Sequence, residues 1–316
     1  MLESPTAGSG ILRRLLQRLA PLIGLLIVGA VFASLEPAFL SGRNLITIPV
    51  QTVVVALGAI GATFVIASGG IDLSVGSSIA LASMMGAATL RAGHSPWVAA
   101  LTAIAVGTAL GVLNGALVVG LRIVPFIATL GTMGIARGLT KWIGSERSIE
   151  PGEAVKPLQD LLVKSWSAPG LLITGALTIL FAVILARSVF GVHTLAIGSS
   201  EPTARLCGIP VGRRKIQIYA LAGALGGLAG VFQLGRVGVG DPTAAIGLEL
   251  DVIAAVVIGG ASLSGGSGSI IGSLIGALLM VSLATGCTLV GVPTYVQEMV
   301  VGTIIIVAVS LDRWRH

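Results

Sequence analysis

Ten uninterrupted apolar stretches set the terms for this chain: residues 19–35, 48–67, 75–90, 97–119, 124–136, 171–186, 216–234, 252–261, 270–284 and 295–311. A bilayer core about 30 Å thick takes roughly 20 apolar residues per helical crossing. In lipid the backbone must satisfy its own hydrogen bonds, which leaves helices or closed barrels. Barrel strands are short and alternate in polarity, whereas these stretches are continuous. The fold class expected is therefore an all-α polytopic membrane protein with about ten transmembrane helices. Charged residues make up only 10% of the 316, against about 25% in an ordinary soluble domain.

The 45 glycines fit that setting. No hydrophobic force joins helices inside lipid, so small residues that let backbones approach become the packing device. Gly107, Gly111 and Gly115 recur at four-residue spacing, as do Gly272 and Gly276. The spacing predicts close helix packing and leaves the partner helix open.

A net charge of +6 raises the question of nucleic acid, and its distribution answers it. Arg13, Arg14 and Arg18 precede the first stretch, Arg205, Arg213, Arg214 and Lys215 share one connection, and Arg313 and Arg315 close the chain. Basic residues clustered this way mark cytoplasmic segments, so the partner they imply is membrane lipid and no nucleic acid. Both termini inside requires an even number of crossings, which ten satisfies. The resulting layout is a polar, mobile cytoplasmic segment 1–18, a transmembrane domain 19–311 and a cytoplasmic tail 312–316. Within the domain lie an outer loop 144–168, with Pro151, Pro157 and Trp166 forming a short cap, and an inner loop 187–215. On this layout the connection 137–164 lies outside, with five basic and four acidic residues. The N-terminus resembles a secretory signal but lacks a small-residue cleavage site, so an uncleaved anchor is expected. Cys207 and Cys287 are too far apart in this layout for a disulfide and offer no metal-ligand spacing.

Enzymatic readings find no support. A Gly-x-x-x-x-Gly-Lys-Ser/Thr phosphate cradle and a His-Glu-x-x-His zinc motif are both missing. His94, His193 and His316 all lie outside the apolar stretches, which leaves Ser267 in its Gly-rich run without a general base. No catalytic residue, metal site or cofactor is expected.

Polar residues in or beside the membrane are costly and mark functional candidates. Asp72 and Ser74 lie in a Gly-rich bend, where they either line a pathway or gate or cap the next helix. Glu249 and Asp251 precede the stretch at Val252, either contacting solute at the outer face or complementing a helix dipole. Arg236 and Asp241 are expected to pair in solvent. The segment 69–77 (Gly-Gly-Ile-Asp-Leu-Ser-Val-Gly-Ser) echoes 259–267 (Gly-Gly-Ala-Ser-Leu-Ser-Gly-Gly-Ser) at six of nine positions. That echo adds Ser262 and Ser264 to the gate or pathway candidates, and fits either a structural repeat with broken helices or two similar turns. No chain of buried carboxylates and histidines exists to relay protons, so energy must arrive from a partner on the cytoplasmic side.

The segment 198–210 suits such a contact. Ser200 is placed to cap a helix, Glu201 suits its positive end and Pro202 its first turn. Gly208 and Pro210 end it. The spacing predicts a helix of about two turns presenting Ala204, Arg205 and Leu206 at the surface. Gly198, Cys207 and Ile209 complete the docking segment. A helix so short is marginal alone and gains stability by docking.

With these segments assembled, the chain resembles the membrane permease subunit of sugar ABC importers of the ribose, xylose and galactoside type. The resemblance runs from about Pro37 onward. It rests on 69–77, on 125–131 (Pro-Phe-Ile-Ala-Thr-Leu-Gly), on 204–209 (Ala-Arg-Leu-Cys-Gly-Ile) and on 249–263 (Glu-Leu-Asp-Val-Ile-Ala-Ala-Val-Val-Ile-Gly-Gly-Ala-Ser-Leu). It implies a type II ABC importer-like permease fold, a dimer of permease subunits, two separate ABC ATPase subunits and an external sugar-binding protein. It also implies that 198–210 is the coupling loop inserted into the ATPase. Cys207 stands where the family commonly has Ser, and Ser200 where Asn is common. The competing readings are a branched-chain amino acid ABC permease, an ion-coupled secondary transporter and a membrane scaffold.

Overall fold

The computed structural model describes residues 7–162 and 169–313, with side chains placed for 19–162 and 169–310; Trp166 of the expected outer cap lies outside the described residues. Every one of the ten apolar stretches coincides with a helix: α1 (Ala7–Leu35), α2 (Gly42–Ala67), α3 (Val75–Arg91), α4 (Pro96–Gly120) and α5 (Pro125–Gly144) come first. A short α6 (Lys156–Leu162) precedes α7 (Pro169–Arg187), α8 (Val189–Ser199) and α9 (Glu201–Leu206). The chain continues as α10 (Val211–Val237), α11 (Leu248–Ile258), α12 (Ile270–Leu289) and α13 (Thr294–Arg313). Serines start many of them. Ser41, Ser95, Ser188, Ser200 and Ser269 each accept a backbone N–H from the first turn of the helix they precede, supplying the cap that an exposed helix end lacks.

Helices α2, α4, α7, α10 and α12 are long and apolar enough to cross a bilayer. Helix α10 is central, packed on α2, α3 and α4. The glycine spacing finds its partner there: Gly107, Gly111 and Gly115 of α4 lie against Gly227, Gly223 and Ile216 of α10. Gly272 and Gly276 of α12 meet Gly259 and Ala255 at the end of α11. Outward-facing apolar side chains such as Leu26, Leu101, Ile127, Leu172 and Ile306 form a lipid-compatible surface.

The structure departs from the sequence expectation at four places. Helix α1 already begins at Ala7, inside the segment 1–18 expected to be mobile; Ile11, Leu12, Leu15 and Leu16 continue its apolar pattern in the sequence. Helix α5 runs past Ala136 to Gly144, so Arg137 belongs to the bundle rather than to an outer connection. The inner loop opens with apolar α8, whose Phe190 ring packs 5.7 Å from Phe64 of α2. The expected crossing 252–261 is α11, whose 11 residues span only about 16 Å at 1.5 Å per residue.

Helix α11 therefore starts inside the bundle. A Cβ on Gly58 of α2 would lie 3.0 Å from Val252 and 3.4 Å from Val75, so the first turns of α11 and α3 meet at that level. Gly58 lies nine residues from the end of α2 at Ala67, about 13 Å along the axis. The stretch after α2 returns to that depth without helical structure, and the stretch 238–247 before α11 does so from the other side. Non-helical backbone at membrane depth is tolerated where protein satisfies it. Arg137 does this, donating Nη1 to the carbonyls of Pro242 (3.1 Å) and Ala244 (2.7 Å).

Candidate functional site

The two echoing segments come together at one end of the bundle. After α2, Gly69 takes φ +79, and after α11, Gly260 takes φ +93. Each supplies the left-handed residue that closes a helix, one position out of step with the sequence match. The Gly266 N–H donates to the Ala67 carbonyl at 3.0 Å. A Cβ on Gly265 would lie 3.0 Å from the Cα atoms of both Gly69 and Gly198. The last turn of α8 thus touches both broken crossings. Ser262 and Ser264 bond each other through their hydroxyls at 2.8 Å within this junction.

Asp72 and Ser74 hold the break between α2 and α3 in place. Asp72 Oδ1 accepts from the Ser74 N–H at 2.8 Å and from the Ser74 hydroxyl at 2.6 Å. Of the two capping candidates, Asp72 makes the bonds, while the Ser74 side chain caps no N–H of α3. The Ser74 oxygen accepts from Asn114 Nδ2 of α4 (2.8 Å), and Asn114 Oδ1 accepts from the Thr132 hydroxyl of α5 (2.6 Å). Thr129 accepts from the Leu73 N–H at 3.1 Å. Asn114, Thr129 and Thr132 were not singled out from the sequence; an asparagine inside an apolar stretch was the available signal. The cavity at Asp72, Ser74, Ser78 and Asn114 holds about 10 Å³, room for a single water and no solute. Asp72→Ala is expected to strand two donors and cost about 1–3 kcal/mol, read as a lower unfolding temperature in detergent. Asp72→Asn keeps an acceptor oxygen and should lose less.

Glu249 and Asp251 occupy the first turn of α11, where negative charge complements the helix dipole. The Glu249 carboxylate rests against Gly76 in the first turn of α3, a spot where a Cβ would collide with it and with the Ala245 carbonyl. Both residues line a cavity of about 440 Å³ between α11, α12 and α13, together with Gln297 and Glu298. The expected Arg236–Asp241 pair is absent among the described residues. Arg236, itself exposed, donates to Gln233 Oε1 one turn back (2.9 Å) and Asp241 accepts from the Thr243 N–H (2.8 Å), so each takes a local partner instead.

In the segment 198–210, expected from the sequence to couple to a partner, Ser200 accepts from the Thr203 N–H at 3.4 Å, and Gly208 at φ +79 with Pro210 beyond it ends α9. Leu206 is 89% exposed and Cys207 is exposed. Ala204 is the correction: it is 3% exposed, packed with Ile197, Val211 and Ile209, and presents nothing at the surface. Helical periodicity turns it inward, because Arg205 and Leu206 take the outer face. Glu201 accepts from Lys215 of α10 (2.5 Å) and from Arg205 (2.6 Å), tying α9 to α10. The Lys215 hydrogen bond, with help from Arg205, holds the Glu201 carboxyl below the ordinary glutamate value of 4.5. A lowered folded-state value means that the tether is fully present above about pH 4.5 and is lost as pH falls through that lowered value. Hydrogen exchange of 198–210 is expected to be flat from pH 7 to 5 once corrected for intrinsic rates, and Glu201→Gln to raise it at every pH.

Comparison with known proteins follows the same outline. The family model described as "Branched-chain amino acid transport system / permease component" matches residues 44–309. The ribose import permease protein of Bacillus subtilis (strain 168) is 40% identical over 302 residues, 94% of this chain and 93% of its own. The D-allose transport system permease protein of Escherichia coli (strain K12) is 37% identical, covering 92% of this chain and 89% of its own. The L-arabinose ABC transporter permease protein of Azospirillum brasilense is 33% identical, covering 99% and 92%. No solved structure matches. With five apolar helices of spanning length and a family match across most of its residues, the chain belongs to the branched-chain amino acid transport system / permease component family.

Proposed function

We propose that this chain is the membrane-spanning permease subunit of an ATP-driven importer, translocating a monosaccharide delivered by an external binding protein. The observation that carries this reading is the full-length likeness to permeases named for ribose, allose and arabinose. A sugar's hydroxyls cost free energy in hydrocarbon unless they are hydrogen-bonded, so the permease has to supply a polar route. ATP hydrolysis belongs to a separate ATPase subunit. Its grip is on the exposed face of α9, Arg205 and Leu206, within a coupling loop 187–215 that faces the cytoplasm of a bacterial cell together with both termini. The Glu201–Lys215 tether passes movement of α9 to α10, and α10 to the helices packed around it. A second permease subunit completes the assembly.

The family description also names branched-chain amino acids. Sequence likeness to sugar permeases along the whole chain weighs more, because a solute preference is a property of the subgroup. Uptake of radiolabelled D-ribose, D-allose, L-arabinose and L-leucine into vesicles carrying the full complex decides between them. Sugar uptake dependent on ATP is the expected result; leucine uptake without any sugar uptake overturns the reading. Arg205→Glu is expected to weaken binding of the purified ATPase at least tenfold without changing the unfolding temperature, since Arg205 is exposed and, among the described residues, its ion pair is with Glu201 alone. Unchanged affinity would place the docking face elsewhere.

A further inference from the structure

The end of the bundle opposite α9 holds two adjoining cavities, about 440 Å³ and about 140 Å³, that share Asp251, Met280 and Ala284 as a common wall. The smaller is lined by Gln51 of α2, Gln233 and Arg236 of α10 and Asp251 of α11. The larger is lined by Glu249, Asp251, Gln297 and Glu298, with Leu283 and Val301 as apolar wall. We propose that these two cavities form a sugar-binding vestibule within a single permease subunit, in which Asp251 accepts and Arg236 donates hydrogen bonds to the hydroxyls of one monosaccharide. This deepens the transport reading above and rests on it.

The argument starts from charge. Arg236 and Asp251 line the same small cavity, yet no ion pair joins them among the described residues, and no hydrogen bond is made by the Asp251 carboxylate. Asp251 is half-buried while Arg236 is exposed, and a half-buried carboxylate with no cation in contact forgoes the interaction that would offset its desolvation. A polyhydroxylated solute bridges such a separation, because each hydroxyl both donates and accepts. Gln51 and Gln297 extend the same capacity into either cavity, while Met280, Leu283 and Val301 suit the C–H faces of a sugar ring. A volume of about 440 Å³ lies within the range of small-molecule sites, roughly 300–1,000 Å³. No aromatic ring lines either cavity. The vestibule therefore holds its sugar weakly, as a transit site must.

Cys287 lines the larger cavity, and Cys207 is the other thiol of the chain. In a Cys207→Ser background, labelling of Cys287 by a small hydrophilic thiosulfonate reports on the vestibule without disturbing its walls. The measurement uses nucleotide-free full complex in vesicles, with D-ribose, or whichever panel sugar the wild type imports fastest, delivered by saturating binding protein. Sugar is expected to slow labelling at least threefold. Uptake is expected to fall at least tenfold in Asp251→Leu and to recover in part in Asp251→Asn, which keeps an acceptor. If the wild type imports the sugar while Cys287 labels at one rate with and without it, the vestibule is overturned and the transport reading stands. If the wild type imports no sugar at all, both fall.

Discussion

Gly111→Val is expected to abolish accumulation of correctly folded protein. A Cβ at position 111 would run into the backbone carbonyl of Tyr219 and lie 3.0 Å from the Cα of Gly223. The obstacles are main-chain atoms, which no rotamer change can move aside. The same close approach repeats along the seam: a Cβ on Gly115 would lie 2.8 Å from Ile216 Cα, and one on Gly227 2.7 Å from the Ala103 carbonyl. Accommodating valine means pushing α4 off α10 along that whole length. Overpacking one site ordinarily costs about 1–3 kcal/mol. Here α10 also carries the packing of α2 and α3, so the strain spreads, and total stabilities are only about 5–15 kcal/mol. The measurement is the monodisperse fraction after detergent extraction and size exclusion. Gly120→Val, on the same helix but with no atom within 4 Å of its Cβ, should behave as wild type. Equal yields for the two variants would show that the seam tolerates separation.

The seam also shows where sequence reasoning stops. The four-residue spacing of Gly107, Gly111 and Gly115 announced a thin helix face, because spacing is a one-dimensional property. That α10 fills the face with Gly223 and Gly227 is a matter of which helices neighbour each other, and the spacing does not encode that. Apolar composition located ten of the thirteen described helices for a similar reason: it reports compatibility with lipid at each residue. It does not report depth, so α11 passed for a whole crossing although Glu249, Asp251 and the preceding 238–247 marked a chain already turned inside the bundle. Capping of α9 by Ser200 was legible because a cap is a contact over three residues. The link from Asp72 through Ser74 and Asn114 to Thr132 was not, because it joins three segments through single polar atoms. Ala204 was misplaced for the opposite reason. Its neighbours Arg205 and Leu206 are exposed, and on a helix adjacent residues face different ways.

Gly198→Val is expected to break the connection between ATP hydrolysis and transport while leaving the bundle folded. Gly198 lies in the last turn of α8, two residues ahead of the cap of α9, and a Cβ there would collide with the Ala67 carbonyl and lie 2.5 Å from the Gly266 backbone nitrogen. Three backbone segments meet at this point: the end of α2, the loop after α11 and the approach to α9. If the ATPase grips α9, its displacement reaches both broken crossings through Gly198, a path with no side chain to absorb the movement. Valine forces α8 and α9 outward from that junction. The exposed side of α9, with Leu206 and Cys207 at the surface, leaves room for the shift, so the damage stays local, unlike that at Gly111. Uptake per ATP hydrolysed in reconstituted vesicles is expected to fall at least tenfold, with the complex still assembling on size exclusion. Gly175→Val, on α7 with nothing within 4 Å of its Cβ, is the matched control. Wild-type stoichiometry in Gly198→Val would mean that α9 drives the helices through the Glu201–Lys215 tether alone, and that the meeting of the two broken crossings plays no part in transmission.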